Sequence, residues 1–174
     1  MKEQKKFEQF FFDVETRYRL FNMAAHFKKP LFLCTPTLAE MAQREGRKYL
    51  LLDRDQRFRA LKGYRYFDLF KPHFIEEPFD AIFCDPPFSN ISIPFFYKAI
   101  QTINGFQMTE NVFICYISSN QKALLDTFSD YHLVRYPESL RYQSVKRQTQ
   151  EKIFLFGPGQ FLKYDAKKNS RGEG

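Results

Sequence analysis

At 174 residues and 44% hydrophobic, the chain is sized for one domain that buries roughly 70% of its surface without staples. A net charge of +7, from 27 basic and 20 acidic residues, suits an anionic partner such as nucleic acid. No apolar stretch approaches ~18 residues, which excludes a membrane-spanning helix. The opening Met1-Lys2-Glu3-Gln4-Lys5-Lys6 lacks a signal-peptide apolar region, which points to the cytoplasm. Cys34, Cys84 and Cys115 fit neither zinc spacing nor a disulfide framework, and His26, His73 and His132 form no ligand cluster. Small buried thiols and no metal are expected.

In chain order, Asp13 to Phe27 reads as a helix with Val14, Tyr18, Phe21 and Ala25 on one face. Strand-like runs follow at Leu31–Cys34, Lys48–Asp53, Tyr64–Asp68, Asp80–Asp85, Val112–Ile117, Tyr131–Tyr136 and Lys152–Phe156. Between the first two, Thr37-Leu38-Ala39-Glu40 reads as a capping box and Gly46 as a helix stop. Ile91–Ile103 and Asn120–Phe128 are further helix candidates. Strands alternating with helices imply an α/β fold, with a mostly parallel seven-stranded sheet and right-handed crossovers. No internal repeat or second domain is visible. The ends, 1–6 and the basic 163–174, read as flexible.

In such sheets the ligand sits outside the carboxyl ends of the strands. The first four runs end in Cys34, Asp53, Asp68 and Asp85. Asp commonly caps turns, but three in four at one sheet edge also suit a nucleoside-type ligand. Asp53 lies 19 residues past Cys34, close to the ~20 expected between a first strand–helix turn and a ribose-binding acid. That first turn, Cys34-Thr35-Pro36-Thr37, has no glycine. It suits a ligand carboxylate at a helix N-terminus better than a pyrophosphate. A methionine-derived cofactor fits; a dinucleotide does not.

The most informative residues are Asp85-Pro86-Pro87-Phe88, at the exit of an apolar run. Asp-Pro-Pro is also an ordinary loop sequence. Its chemistry is nevertheless specific. The exocyclic amine of adenine is a poor nucleophile, because its lone pair is delocalised into the ring. A carboxylate from Asp85 and a carbonyl from Pro86, accepting both N–H groups, would favour charge build-up on that nitrogen. Consecutive prolines stiffen the turn, and Phe88 offers a face for base stacking.

The chain resembles the probable N6-adenine methyltransferase family. The motifs are Gln9-Phe10-Phe11-Phe12, Cys34-Thr35-Pro36, Leu51-Leu52-Asp53-Arg54-Asp55-Gln56-Arg57-Phe58, Asp68-Leu69-Phe70 and Asp85-Pro86-Pro87-Phe88, in order over roughly Phe7 to Gly157. The resemblance implies a Rossmann-like class I methyltransferase domain over 7–162 that uses S-adenosyl-L-methionine. Gln9, Phe10, Phe11, Thr35 and Pro36 would line the cofactor pocket. Asp53 would hold the ribose, and Asp55 of the same motif counts with the cofactor-binding residues. Asp68 and Leu69 would flank the cofactor adenine. Asp85, Pro86, Pro87 and Phe88 would be catalytic.

The family has a branch that methylates adenine in ribosomal RNA with the help of zinc modules. Another branch methylates a lysine of translation elongation factor 1A. The wording of Leu51–Asp55 and Asp85–Phe88 is nearer the first, although the zinc modules are missing. The leading expectation is adenine-N6 methylation of RNA, with DNA open. The alternatives are a protein lysine methyltransferase and a silent cofactor-binding subunit. A monomer is expected, with a partner protein for target selection left open. The stretch Ser139 to Lys152 carries Arg141, Lys146 and Arg147 against one acid, Glu151. It is expected at a sheet edge, where those three cations would grip a nucleic-acid backbone. A solvated hairpin loop is its plainer reading.

Overall fold

A computed structural model describes residues 3, 9–107 and 111–165, and the statements below concern those residues. The chain runs α1 (Val14–Ala24), β1 (Pro30–Leu33), α2 (Pro36–Arg44), β2 (Leu50–Asp53), β3 (Tyr64–Tyr66), β4 (Ala81–Cys84) and α3 (Ile93–Ile103). It continues through β5 (Val112–Ile117), α4 (Gln121–Thr127), β6 (Leu133–Ser139), the short α5 (Arg147–Gln150) and β7 (Ile153–Pro158). One seven-stranded sheet has the order β3-β2-β1-β4-β5-β7-β6. The first five strands pair in parallel, while β7 is antiparallel to both β5 and β6. This is the mostly parallel, Rossmann-like α/β sheet that the sequence implies.

The strands β1, β2 and β4 are buried at every position, as expected for a parallel sheet covered on both faces. Alternate residues serve different layers. Phe32, Leu51, Phe83 and Phe113 pack under α1 and α2. Leu31, Leu33, Ile82 and Ile114 pack under α3 and α4. Phe fills the first layer as stacked and edge-on rings: Phe83 and Phe113 lie 4.4 Å apart, nearly parallel, with Phe27 edge-on to both. Gly157 permits this density, because a Cβ there would come within 2.6 Å of the Phe113 ring.

The first helix buries Phe21 of its expected face but turns the start of that face toward solvent. Val14 and Tyr18 are each 58% exposed, while Thr16, Leu20, Met23 and Ala24 are buried. The pairing of Thr16 explains this, since its hydroxyl accepts from the Arg141 backbone N–H at 3.0 Å. The N-cap of the second helix lies two residues before the expected one. Pro36 takes the first helical position and Thr35 becomes the N-cap, so Thr37 is inside the helix and no capping box forms. Its C-terminus is the expected one. Gly46, at φ +64°, donates to Gln43, and Arg47 donates to Ala42, which makes a Schellman stop.

The last strands decide what covers the site. Because β7 runs antiparallel, β6 is parallel to β5 and ends at the same edge of the sheet as the carboxyl ends of β1 to β5. The β6–β7 connection therefore leaves from that edge. There Tyr142 bridges to Phe12, and Gln143 N–H donates to the Phe11 carbonyl at 2.9 Å. The connection joins the last two strands at one edge of the sheet, as expected, and reaches from there over the strand ends. Lys163 to Asp165 belong to the folded body: Tyr164 packs on His26 and buried Asp165 pairs with Arg19 at 3.1 Å. The expectations of flexibility for 1–6, apart from Glu3, and for 166–174 lie outside the described residues.

Candidate active site

Four strand ends converge on one cavity of about 360 Å³, within the range of small-molecule sites. Cys34 follows β1 and takes φ +58°, the left-handed region that favours glycine. A non-glycine residue there costs on the order of 1–2 kcal/mol. The sharp turn of a glycine-bearing first loop is thus made by a small side chain that opens onto the cavity. Burial, and then Asp53, Cys84 and Asp85, push the Cys34 thiol well above its ordinary pKa, so it remains a thiol rather than a thiolate.

Asp53, the last residue of β2, is buried and lines the cavity, with its carboxylate accepting the Asp55 N–H at 2.8 Å. Burial raises its pKa to about 7, despite the backbone donors that oppose the shift. Asp68 and Leu69 lie in the loop after β3 and complete the far wall with Phe67 and Phe70. Gln9 and Phe10 close it from above.

Asp55 turns away from this cavity. Its carboxylate holds the Arg57 guanidinium at 2.6–3.0 Å and the Gln9 amide at 3.2 Å, while Arg57 donates to the other end of Gln9 at 2.9 Å. Burial alone would raise the Asp55 carboxyl, but donation from Arg57 and Gln9 outweighs it and holds the group below the usual carboxylate range. Asp55 and Arg57 thereby pin Gln9 against the cavity. Thr35, Pro36 and Phe11 are buried behind the wall rather than lining it; Thr35 spends its hydroxyl on the Phe83 carbonyl at 3.3 Å.

Asp85 is the first residue past β4, and its N–H donates to the Leu33 carbonyl at 3.2 Å, so its position is set by the sheet. Its Oδ1 accepts the Tyr142 hydroxyl at 3.0 Å. Desolvation raises the Asp85 pKa to about 8, although the Tyr142 donor opposes it. Pro86 is buried, Pro87 and Phe88 are half-buried, and the Phe88 ring meets Tyr116 edge-on at 5.1 Å.

A second cavity, of about 550 Å³, opens on the other side of Asp85. Phe10, Asp85 and Pro87 belong to both cavities. The second is walled by Pro86, Phe88, Tyr142, Val145 and Lys146 among others. Of the three cations expected to meet a substrate, Lys146 reaches it. Arg147 is exposed at the start of α5 and pairs with Glu151 at 2.7 Å, and Arg141 faces solvent beside α1. Cys34, expected only as a strand end, and Tyr142, noted only beside the basic stretch, join the site although neither had an expected role there. The signal for Cys34 was its place at a strand end; the contact of Tyr142 with Asp85 had none, because it spans 57 residues.

Several solved structures share this fold. The methyltransferase domain of bacterial CtHen1 matches with TM-score 0.52 and 8% identity, covering 82% of this chain and 98% of its own. Thermoplasma acidophilum protein 1320 matches with TM-score 0.56 and 15% identity, over 90% of this chain and 97% of its own. The 16S rRNA methylase RmtB matches with TM-score 0.51 and 13% identity, over 83% of this chain and 61% of its own. No curated protein matches the sequence. The sequence model of one family, described as probable N6-adenine methyltransferase, spans residues 3–165. This chain belongs to that family, and its fold and membership make it a methyltransferase.

Proposed function

We propose that this methyltransferase transfers the methyl group of S-adenosyl-L-methionine to the N6 amine of an unpaired adenine in RNA. The observation that carries the reading is the sharing of Asp85 by two cavities, one for a donor and one for an acceptor. The residues of the first cavity fit the cofactor. Asp53 would take the ribose hydroxyls, Asp68 and Leu69 would flank the adenine, and Gln9 and Phe10 would cover the ligand. Asp53, Asp68 and Asp85 around the cavity favour a cationic donor over its neutral product, because the cation in turn favours their ionised forms. When bound, S-adenosyl-L-methionine supplies a methyl carbon activated by its sulfonium charge.

The chain's own residues do the rest. Phe10, Phe88 and Tyr142 give the second cavity aromatic walls, and base–aromatic stacking is worth roughly 1–3 kcal/mol per base. Asp85 and the Pro86 carbonyl accept the two N–H groups of the amine, which directs its lone pair toward the methyl carbon. The new C–N bond forms as the donor's C–S bond breaks, with that electron pair passing to sulfur. The proton shed by the nitrogen goes to Asp85. An adenine inside a duplex cannot present its amine this way, so the base must be unpaired or flipped. Lys146 at the mouth of the second cavity suits the adjoining phosphate. The ribosomal RNA branch is the nearer model, on the wording of Leu51–Asp55 and Asp85–Phe88.

Labelled methyl donor incubated with total cell extract, followed by nuclease or protease, tests this. Release of label by ribonuclease as N6-methyladenosine is expected. Release by deoxyribonuclease would move the substrate to DNA, and release by protease as methyl-lysine would overturn the adenine reading. Asp85→Ala in folded protein should lower turnover by on the order of 10²–10³.

A further inference from the structure

Asp85 has two carboxylate oxygens, and one of them is already engaged. Its Oδ1 accepts the hydroxyl of Tyr142, a side chain 5% exposed, at 3.0 Å. Tyr142 is itself held from several directions. Its backbone bridges to Phe12 and its ring lies 5.0 Å from the Phe12 ring. Its N–H donates to the Gln150 side chain at 2.8 Å. Thr16 and Gln143 fasten the residues on either side, through Arg141 N–H and the Phe11 and Phe12 carbonyls. The ring is thus held with its hydroxyl against Asp85 Oδ1, the acceptor within its reach.

We propose that Tyr142 is the positioning residue of the methyl-transfer site: it occupies Oδ1 of Asp85 and so presents the other oxygen to the acceptor amine. The inference rests on the proposed adenine-N6 reaction and adds to it a source of selectivity. A carboxylate with one oxygen occupied offers one acceptor, and the Pro86 carbonyl offers a second. That pair matches a neutral amine with two N–H groups. It serves an ammonium, with three donors and a full charge, less well. The same hydrogen bond favours the ionised form of Asp85. The other titratable groups near this carboxyl are Cys34 after β1, Cys84 on β4 and Cys115 on β5. Burial leads in raising all three thiols, so none of them can titrate in place of Asp85 near neutral pH. Asp53 lies across the first cavity and Lys146 lines the second.

Tyr142→Phe tests this, since it removes the donor and keeps the ring against Phe12. With a short, adenine-containing single-stranded oligoribonucleotide as acceptor, kcat should fall on the order of 10–10². KM for the oligonucleotide should stay within about twofold. The acidic limb of the rate profile should move to higher pH, because the carboxylate loses a stabilising donor. A carbon-13 carboxyl titration of Asp85 in the protein without RNA should move the same way. Tyr142→Leu separates packing from donation. If packing were the whole role, Phe would be harmless and Leu damaging; donation requires that Phe already carry most of the loss. An unchanged limb and titration in Tyr142→Phe, or a loss confined to KM, overturns the inference. Asp85→Asn run in parallel keeps the two readings apart. If it is inactive while Tyr142→Phe is normal, only the role of Tyr142 fails. If wild-type protein leaves the oligonucleotide unmethylated or Asp85→Asn is fully active, the adenine reading fails and takes this inference with it.

Discussion

The two cavities that meet at Asp85 are built by different means. The first is made of strand ends: Cys34, Asp53, Asp68 and Asp85 come from consecutive elements, and parallel pairing alone brings them to one edge. The second is made of a long-range excursion, in which the β6–β7 connection carries Tyr142, Val145 and Lys146 over the sheet. The first is lined by three acids, the second mainly by apolar and aromatic groups. The difference teaches that the first cavity follows from topology common to many such sheets. The second depends on one antiparallel strand and the segment before it.

Asp85 belongs to both sides, so its removal should have the largest effect and should divide activity from stability. Asp85→Asn should lose methyl transfer by about 10² or more, for want of the anionic acceptor. It should also gain stability in alkaline buffer. The sign follows from the folded pKa of about 8, raised from an ordinary 3.8. A raised carboxyl stabilises the fold fully below its ordinary pKa, and that contribution is lost as pH rises through the folded value. Asp53, at about 7, acts in the same sense, whereas depressed Asp55 matters only in acid. Thermal melting of the ligand-free protein should therefore fall between about pH 5 and 8, and Asp85→Asn should flatten the fall. A melting temperature that rises over that window, or an equal slope in the variant, contradicts the assignment.

A donor-side change should be felt by the cofactor alone. Asp53→Ala should weaken S-adenosyl-L-methionine binding by roughly 1.5–3 kcal/mol, the range for a charged acceptor. RNA affinity should stay as it was. Calorimetry with cofactor and fluorescence anisotropy with RNA check the two halves separately. Equal losses in both would mean that the cavities are not independent.

The smallest effects are expected on the acceptor side. Lys146→Ala should weaken binding of short single-stranded RNA and flatten its salt dependence by about 0.7, the value for one phosphate contact on a single strand. Arg147→Ala should change the slope less, because that guanidinium already pairs with Glu151. A titration series in salt resolves the order. Cofactor binding that changed with either variant would merge the two sides that the structure separates.

Much of the first cavity was legible in the chain because it is written in local chemistry. Runs ending in Asp53 and Asp85 mark strands and their exits, with Asp68 two residues past β3, and strand exits are where such sheets bind. Asp55 shows the limit of that reasoning. Its motif position counts it with the cofactor residues, but the adjacent Arg57 draws its carboxylate into a clamp on Gln9. The first helix shows another limit. Val14 and Tyr18 have core-like spacing yet face solvent, since Thr16 finds a partner 125 residues away.

By itself the sequence determined the α/β order of elements, the parallel core, the stop at Gly46 and the place of Asp85 at the exit of β4. Each of these rests on interactions within a few residues, or on a rule of topology that any such order obeys. Only the tertiary structure decided which face of α1 is buried, and that Thr35 rather than Thr37 starts α2. It alone brought Tyr142 to Asp85 and the β6–β7 connection over the strand ends. Those outcomes depend on the direction of β7 and on hydrogen bonds between segments more than 50 residues apart, for which no local pattern exists.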